Sequence, residues 1–433
     1  MSTVQKILIA VGVAVVVVLI LILAGAIPGT QHPTEQSGRV TLWGFDEEKT
    51  WSDAINAYKE SHPKVSVEYK TKNLKTFEDD LVNAIARQDS PDVIMFPSYD
   101  MAALSDILST APPLLITERE ITQQYIDASS LFLTPKKQVL GIPAYGDALV
   151  LYFNKDLFTQ NFITLPPATW NEFLDDAQKI TRKDSNGNIL ISGAALGRAG
   201  NIKNAPYILE ALLFESGEKI LDENDNIILG NSVEIQSTEI RPAESALRFF
   251  VDFANIAKNS QSWSAGLPEA KDLFVSGKLG MYLGFISEYS DIKNKNPHLN
   301  FAVSLIPKLN TSDNLITSGS LFAFAVPRAS KNQFTAWSFA TFFAAPENSA
   351  LYTKAANAIS PRRDLIASYQ SDSLKSIFAK ALLGLTLWRN PDPAKTDPLF
   401  RELIENVATG KLTLREALDK TAVRLQEINK KPQ

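Results

Sequence analysis

Aromatic and acidic side chains stand at the ends of two predicted strands. Trp43, Phe45 and Asp46 lie where the first strand of the chain ends. Tyr99 lies shortly after the third. Flat aromatic faces stack on apolar ring surfaces, and carboxylates accept hydrogen bonds from hydroxyl groups. Because such groups gather beyond the carboxyl ends of strands in an α/β fold, these side chains are candidates for contact with a polar ligand. The alternative is that one of the two aromatic rings at the end of the first strand, Trp43 or Phe45, packs beneath the sheet.

The composition argues against several other kinds of chemistry. The 433 residues include no cysteine and only three histidines, far apart in sequence, so disulfides and thiolate sites are excluded and a histidine-rich metal site is not expected. The formal net charge of -5 argues against a nucleic-acid partner, which usually meets a basic face. No P-loop or dinucleotide-binding glycine motif occurs, and nothing pairs two carboxylates as a glycoside hydrolase requires. We therefore expect neither a cofactor nor catalysis.

One polar run imitates the start of a calcium-binding loop. Asp222, Asn224 and Asn226 have the spacing of its first ligands. However, Ile227 stands where the loop needs glycine, and Val233 stands where it needs glutamate. The run therefore predicts a turn between two short strands and no metal site.

Residues 7–27 form an uncharged apolar run of 21 residues, long enough to span a bilayer as a helix. Lys6 provides a positive flank, which places the rest of the chain on the extracytoplasmic face. Two interpretations stay open, a retained single-pass anchor in the cell membrane and a signal peptide cleaved after Ala26. The apolar run is longer than a usual signal core, which favours the anchor. We predict an anchor or uncleaved signal at residues 1–29 and a tether at residues 30–38.

Strands and helices alternate after the tether, which is typical of an α/β fold with parallel units. Runs of apolar and β-branched residues predict strands at 39–45, 65–70, 91–96, 149–154, 280–285, 301–307 and 321–327. Capping boxes at Thr169 and Thr413 predict two helix starts. Helical spacing predicts helices at about 50–61, 77–88, 206–216, 243–258, 268–276, 332–344, 347–357, 373–383, 398–409 and 413–429.

Six motifs, in the expected order, resemble the family 1 extracellular solute-binding proteins of ABC importers, the maltose-binding-protein-like group. They are RVTLWGF (39–45), AYKESHPKVSVEYK (57–70) with PDVIMF (91–96), GIPAYGDALVLYFNKDLF (141–158), LPPATWNEFLDDAQKIT (165–181), LFVSGKLGMYLGF (273–285) and AISPRRD (358–364). The resemblance covers roughly residues 39–430. Many members carry a lipid-modified cysteine after the signal. This chain has none, and a retained apolar anchor would take its place.

The resemblance implies a two-lobe α/β fold of the periplasmic-binding-protein (Venus-flytrap) type, with a cleft between the lobes and here one transmembrane helix before them. Lobe 1 is expected at residues 39–146 and 305–345, and lobe 2 at residues 147–304 and 346–433. A ligand would bind in the cleft and be trapped by closure of the hinge. A permease would then bind the closed form.

The resemblance also implies ligand contacts near the crossing between lobes and after a later strand. Tyr145 and Asp147 come just before the strand 149–154. Phe285 and Ser287 come at the end of the strand 280–285, where relatives commonly have a stacking aromatic ring. The alternatives are a hinge turn with a solvated Asp147 and a ring displaced by a residue or two.

Four further positions complete the expected ligand-binding set. Ser318 and Gly319 match the family's glycine-rich turn, although glycine is also ordinary turn chemistry. Trp263 lies in a loop rich in serine and glycine, and Trp388 lies shortly before a helix. Each tryptophan either lines the cleft or belongs to the packed body of the protein.

The leading hypothesis is therefore a monomeric, membrane-tethered receptor that captures a small polar solute, above all a sugar or oligosaccharide. It would deliver this solute to the permease subunits of an ABC importer. Two alternatives stay open: the same fold used as a ligand sensor or adhesin without transport, and a transport receptor for a peptide or polyol.

Overall fold

The computed structural model describes residues 38–235, 238–309 and 315–430. These residues form a mixed α/β fold, as predicted. The predicted membrane segment, residues 7–27, lies outside the described part of the chain. Within that part, no helix combines the length and the apolar character needed to cross a lipid bilayer.

Each predicted strand is present. The strands are β1 (Gly38–Gly44), β2 (Val65–Thr71), β3 (Val93–Pro97), β4 (Ile142–Asn154), β5 (Arg182–Lys183), β6 (Ile189–Ala194), β7 (Val233–Ile235), β8 (Thr238–Ile240), β9 (Leu279–Phe285), β10 (Phe301–Ser304) and β11 (Gly319–Ala325). The main difference is in β4, which begins at Ile142 instead of residue 149.

The predicted helices are also present, together with several short ones that the sequence pattern did not predict. The helices are α1 (Glu48–Ser61), α2 (Phe77–Ala86), α3 (Met101–Leu104), α4 (Glu118–Gln124), α5 (Lys155–Gln160), α6 (Trp170–Ile180), α7 (Ala205–Glu215), α8 (Pro242–Asp252), α9 (Ala270–Val275), α10 (Glu288–Lys295), α11 (Gln333–Phe342), α12 (Pro346–Ala355), α13 (Arg363–Ser368), α14 (Ser373–Leu383), α15 (Pro393–Ala408) and α16 (Leu414–Asn429). Short 3-10 helices lie at Ser98–Asp100, Asp127–Phe132 and Tyr369–Ser371.

Two predicted local features are confirmed. The hydroxyl of Thr169 accepts from the backbone N–H of Glu172 at 3.2 Å, and the Glu172 carboxylate accepts from the N–H of Thr169 at 3.3 Å. This capping box satisfies donors that the first turn of α6 leaves unpaired. In the imitation of a calcium loop, the Asp222 carboxylate accepts from the backbone N–H groups of Asn224 and Asn226 at 2.8 and 2.9 Å. It therefore closes a turn, as predicted.

Strand β4 joins two halves of one sheet. The strand order is β2-β1-β3-β11-β4-β9-β6-β5, with β10 also paired to β4. The first half of β4 pairs with β11 as far as Ala148, and from Leu149 the strand pairs with β9 instead. β4 therefore connects the two halves of the sheet, because it is hydrogen-bonded to a strand of each half.

Alternate residues of β3 enter different cores. Val93 and Met95 pack in a cluster that includes residues of α1, α11 and α12. Ile94 and Phe96 pack in a larger cluster that continues through β4 and β9. Burial of both faces explains why this strand is a continuous apolar run, as is typical of a strand in the interior of a sheet that is covered on both sides.

Helix α12 packs against α1. The ring of Tyr352 stacks on Trp51 with centroids 4.2 Å apart, and its hydroxyl donates to Oδ2 of Asp46 at 2.7 Å. The lobe boundary between residues 345 and 346 stays a prediction. The contacts of α12 favour a boundary that follows this helix.

Candidate functional site

A cavity lies where the two halves of the fold face each other. It encloses about 500 Å³ that is not filled by atoms, part of it open solvent. Four segments supply the walls: the 3-10 helix after β3, the start of α7, the start of β11, and residues 386–400, which include the first two turns of α15. The lining residues are Ser98, Tyr99, Pro206, Tyr207, Glu210, Gly319, Thr386, Leu387, Trp388, Asn390, Pro393, Thr396, Asp397 and Phe400.

Three aromatic rings from separate segments define the walls. Tyr99 follows β3, Tyr207 lies in the first turn of α7, and Trp388 precedes α15. Tyr207 meets the edge of Phe285 with ring centroids 5.1 Å apart. Trp388 packs edge-on against Phe400 at 6.3 Å. The predicted residues Tyr99 and Trp388 therefore share one cavity, and the predicted Phe285 supports its third ring.

A buried carboxylate holds one wall in place. Glu210 is only 8% exposed. Its two oxygens accept hydrogen bonds from Nε1 of Trp388 at 2.9 Å and from Oγ of Ser318 at 2.8 Å. Burial raises the pKa of Glu210 to about 7, even though both hydrogen bonds act in the opposite direction. Glu210 thus orients the Trp388 ring. Ser318 acts on the cavity indirectly, because its hydroxyl group donates a hydrogen bond to Glu210.

Gly319 permits a close approach of two strands. A Cβ atom at this position would lie 2.1 Å from the backbone oxygen of Asp147 and 2.8 Å from Cα of Ala148. No side chain fits in that space. The glycine also lines the cavity. Because it has no side chain, β11 can lie close to β4, and no side chain of residue 319 fills the cavity.

The structure brings Asp147 and Ser287 together. The Asp147 carboxylate accepts from the backbone N–H of Ser287 at 3.0 Å and from its hydroxyl at 2.6 Å. Burial raises the pKa of Asp147 to about 6, and these bonds oppose that shift. Neither residue is among those that line the cavity. Their bond instead joins β4 to the end of β9 close to the point where β4 changes partners.

Tyr145 and Asp46 belong to a neighbouring polar cluster. The Tyr145 ring stacks on Phe322 with centroids 4.4 Å apart and an interplanar angle of 9°. Asp46 accepts from the Tyr352 hydroxyl, and burial raises the pKa of its carboxyl group. Burial and the nearby Asp46 carboxylate both raise the pKa of Tyr145, so the two groups lie within electrostatic range.

The three remaining predicted residues are packed in the protein. Trp43 is 5% exposed and lies beneath Lys72, whose Nζ is 3.7 Å from the ring centroid. Phe45 packs edge-on against Phe77 at 5.2 Å. Trp263 is fully buried and donates from Nε1 to Oδ1 of Asn201 at 2.9 Å. Trp263 therefore offers no open ring face to a ligand in this structure, because its loop lies folded into the core.

Sequence reasoning missed Tyr207, Glu210 and Asp397. All three lie on helices, whereas the residues predicted from the sequence lie in loops and at strand ends. Glu210 did have a signal, since it is a lone charge in the otherwise apolar helical run APYILEALLF. A charge on the buried side of a helix requires partners, and such partners often belong to a functional site.

Asp100 is a further acidic residue beside the cavity. It follows the lining residue Tyr99 and is 8% exposed. Burial raises its pKa to about 7, and the nearby Glu78 carboxylate adds to this shift. No hydrogen bond or ion pair to the Asp100 carboxylate is formed by the residues that the structure describes.

Known proteins of similar sequence and structure bind sugars. The galactooligosaccharide-binding protein of Bacillus subtilis is 22% identical over 403 residues, which is 90% of this chain and 89% of that protein. The cyclic α-maltosyl-1,6-maltose binding protein of Arthrobacter globiformis superposes with a TM-score of 0.75 at 16% identity, over 91% of this chain and 99% of that one. A solute-binding protein of an ABC transporter from Thermotoga lettingae, bound with α-D-tagatose, gives a TM-score of 0.67 at 21% identity, over 91% and 100%.

These structural likenesses establish the two-lobe fold of such binding proteins. The family model described as bacterial extracellular solute-binding protein matches residues 44–350, which is most of the chain. The protein therefore belongs to the bacterial extracellular solute-binding proteins, a family of binding proteins rather than enzymes.

Proposed function

We propose that the protein is an extracytoplasmic receptor that binds a sugar or oligosaccharide in the cavity between Tyr99, Tyr207 and Trp388. The observation that carries this proposal is the convergence of three aromatic rings from separate segments on one cavity that is also lined by polar groups. Aromatic faces stack on the apolar faces of sugar rings, and carboxyl and amide groups bond the hydroxyls. The sugars bound by the related proteins support the same ligand class.

Capture would proceed by a hinge motion of the two lobes. Because β4 pairs with β11 in its first half and with β9 in its second, a change in its twist near Ala148 would rotate one half of the sheet relative to the other. We place lobe 1 at residues 39–146 and from 305 to about 355, so that α12 stays with α1. Lobe 2 comprises residues 147–304 and the remainder of the chain.

Delivery would follow closure. The closed form would dock on the permease of an ABC importer, which would receive the sugar when the lobes reopen. Residues 7–27 would anchor the receptor in the cell membrane as a single helix, with the body on the extracytoplasmic face. The receptor would act as a monomer, since each copy carries a complete cavity.

A thermal-shift screen of the purified full chain tests the ligand class. The panel contains mono- and oligosaccharides, polyols, short peptides and amino acids, and the chain is kept in mild detergent. A ligand at 100 times its dissociation constant adds about 2.7 kcal/mol to the free energy of unfolding. We expect a rise in Tm with one class of saccharide. A rise with peptides alone would contradict the sugar assignment, and no rise with any compound would contradict the receptor function.

Transport is tested separately. Cells that express the receptor and its permease should take up the identified sugar, and deletion of either protein should abolish uptake. Normal uptake without the receptor would contradict the role in import and would favour a sensor or adhesin.

A further inference from the structure

A polar network lies at the start of α7, the helix that carries the cavity residue Tyr207. Its members are Asn204, Tyr282 and Glu288, which come from three separate segments of the chain. Asn204 directly precedes α7, Tyr282 lies in β9, and Glu288 is the first residue of α10. None of the three is among the residues that line the cavity, so the network can act on a ligand only through the residues that it holds in place.

The three side chains are hydrogen-bonded to one another. Nδ2 of Asn204 donates to Oε1 of Glu288 at 2.8 Å and to the Tyr282 hydroxyl at 3.0 Å. The Tyr282 hydroxyl donates in turn to Oε2 of Glu288 at 2.7 Å. Asn204 and Tyr282 are buried, and a buried polar group without a partner is costly. Each member of the network therefore depends on the other two.

The Asn204 side chain does not cap its own helix. An asparagine at the N-cap position usually accepts a hydrogen bond from a backbone N–H group of the first turn. In the described chain, no N–H group of that turn donates to the Asn204 side chain, which is bonded to β9 and α10 instead. Asn204 therefore joins the start of α7 to its neighbours and does not stabilise the helix locally.

Glu288 also holds the end of β9. Its Oε1 accepts a hydrogen bond from the backbone N–H of Phe285 at 3.3 Å. The Phe285 ring packs edge-on against the Tyr207 ring, with centroids 5.1 Å apart. One carboxylate thus fixes both members of this ring pair. It holds Phe285 through the backbone, and it holds Tyr207 through Asn204, which lies three positions earlier in the chain.

The turn between β9 and α10 is also joined to β4. The backbone N–H of Ile286 donates to the carbonyl oxygen of Ala148 at 3.1 Å, and Ser287 donates to Asp147. β4 changes its pairing partner next to Ala148. The network therefore sets the position of the Tyr207 ring relative to the strand that connects the two halves of the sheet.

We propose that Asn204 and Glu288 are positioning residues for saccharide binding, which hold the Tyr207 ring in the orientation that stacks on the ligand. This inference rests on the proposed function and adds residues outside the cavity to it. A side chain that is held in place before binding loses less conformational entropy when the ligand arrives. Release of Tyr207 should therefore weaken affinity by about three- to tenfold, which is the range expected for the ordering of one side chain.

The test is calorimetric titration of the full chain with the saccharide that gives the largest thermal shift. Glu288→Ala removes the acceptors of the network, whereas Glu288→Gln keeps one oxygen for Asn204. Asp272→Ala is the matched control, because it removes an exposed carboxylate from the neighbouring helix α9. Glu288→Ala is also combined with Tyr207→Leu, which removes the ring and keeps an apolar side chain at that position.

We expect Glu288→Ala to weaken binding by about three- to tenfold when Tyr207 is present, and by less than about twofold in Tyr207→Leu. Glu288→Gln and Asp272→Ala should bind nearly as tightly as the wild type. A general loosening of the fold would instead weaken binding equally with and without the ring. Asn204→Ala should have the same effect as Glu288→Ala. It leaves the bond between Tyr282 and Glu288 intact, so it decides the question if Glu288→Ala does not fold.

Unchanged affinity in a folded Glu288→Ala or Asn204→Ala would overturn this inference and leave the receptor proposal standing. The same holds for an equal loss of affinity with and without the Tyr207 ring. Absence of saccharide binding by the wild type would overturn the receptor proposal and, with it, the role of this network. The titration of the wild type therefore separates the two failures.

Discussion

The indole N–H of Trp388 donates a 2.9 Å hydrogen bond to Oε1 of Glu210, and the other oxygen of Glu210 accepts from Ser318. One buried carboxylate thus links the segment before α15, the residue before β11 and helix α7. An aromatic ring in a flexible segment would lose conformational entropy when it stacks on a ligand. A ring that is already fixed by a hydrogen bond avoids much of that loss, so Glu210 preorganises the site.

Glu210→Ala should weaken saccharide binding by about tenfold or more and lower the free energy of unfolding by about 1–3 kcal/mol, because Trp388 and Ser318 lose a buried acceptor. Glu210→Gln keeps an oxygen for Trp388 and should retain most of the affinity. The measurements are calorimetric titration and denaturant unfolding near pH 6. Equal affinity of the alanine variant and the wild type would show that the hydrogen bond does not position the ring.

Stability should also depend on pH through Glu210. Its pKa is about 7 in the folded protein and 4.5 when unperturbed, so the folded state holds the proton more tightly. The contribution of this group to stability is therefore complete below about pH 4.5 and is lost as the pH rises through about 7. The loss is at most about 3.4 kcal/mol, at 1.36 kcal/mol for each of about 2.5 pKa units.

Denaturant unfolding of the wild type and Glu210→Gln from pH 4.5 to pH 8 measures this contribution. The difference between their free energies of unfolding should change in favour of the glutamine variant as the pH rises. Asp100 and Asp147 also have raised pKa values and contribute in the same direction in both proteins, so they cancel in the difference. Parallel curves would contradict the assignment.

Gly319→Ala should destabilise the junction between β11 and β4. The new Cβ atom would lie 2.1 Å from the backbone oxygen of Asp147, so two strands must separate at a cost of about 1–3 kcal/mol or more. Gly266→Ala is the matched control, because the nearest atom there is Oγ of Ser264 at 3.9 Å. Thermal unfolding of both variants tests the prediction, and a similar Tm for the two would contradict it.

Substitution of Trp263 should lower stability, whereas substitution of Trp388 should lower ligand affinity. Trp263→Phe should lower the free energy of unfolding by about 1–3 kcal/mol, because Asn201 loses a buried donor, and leave affinity unchanged. Trp388→Phe should weaken binding, since phenylalanine has no N–H to donate to Glu210, with a lesser effect on stability. Loss of affinity in a folded Trp263→Phe would show that this residue acts on the site after all.

The sequence predicted elements well where local signals were strong. The capping box at Thr413 places the start of α16 within a residue, because the cap is a local interaction. Helices α4 and α10 are short and polar, so their periodicity was too weak to detect. The helix predicted at 243–258 ends at Asp252, beyond which Ala254 packs against Gly197, a contact that no local pattern reveals.

The site was only partly predictable for the same reason. Tyr99 and Trp388 were predicted from their positions next to predicted elements, and Gly319 from the family resemblance. The bond between Glu210 and Trp388 joins residues 178 apart, so neither neighbourhood indicates it. Trp263 was misplaced because a loop rich in serine and glycine suggested exposure, whereas its ring fills the core.

Sugar capture in this cavity is tested by a calorimetric titration of the full chain with the saccharide that gives the largest thermal shift, using the wild type and Trp388→Ala. We expect the wild type to bind one saccharide per chain, and a folded Trp388→Ala to bind it with at least about tenfold lower affinity. Unchanged affinity in that variant, or no saccharide binding by the wild type, would contradict the claim that this cavity is the site of sugar capture.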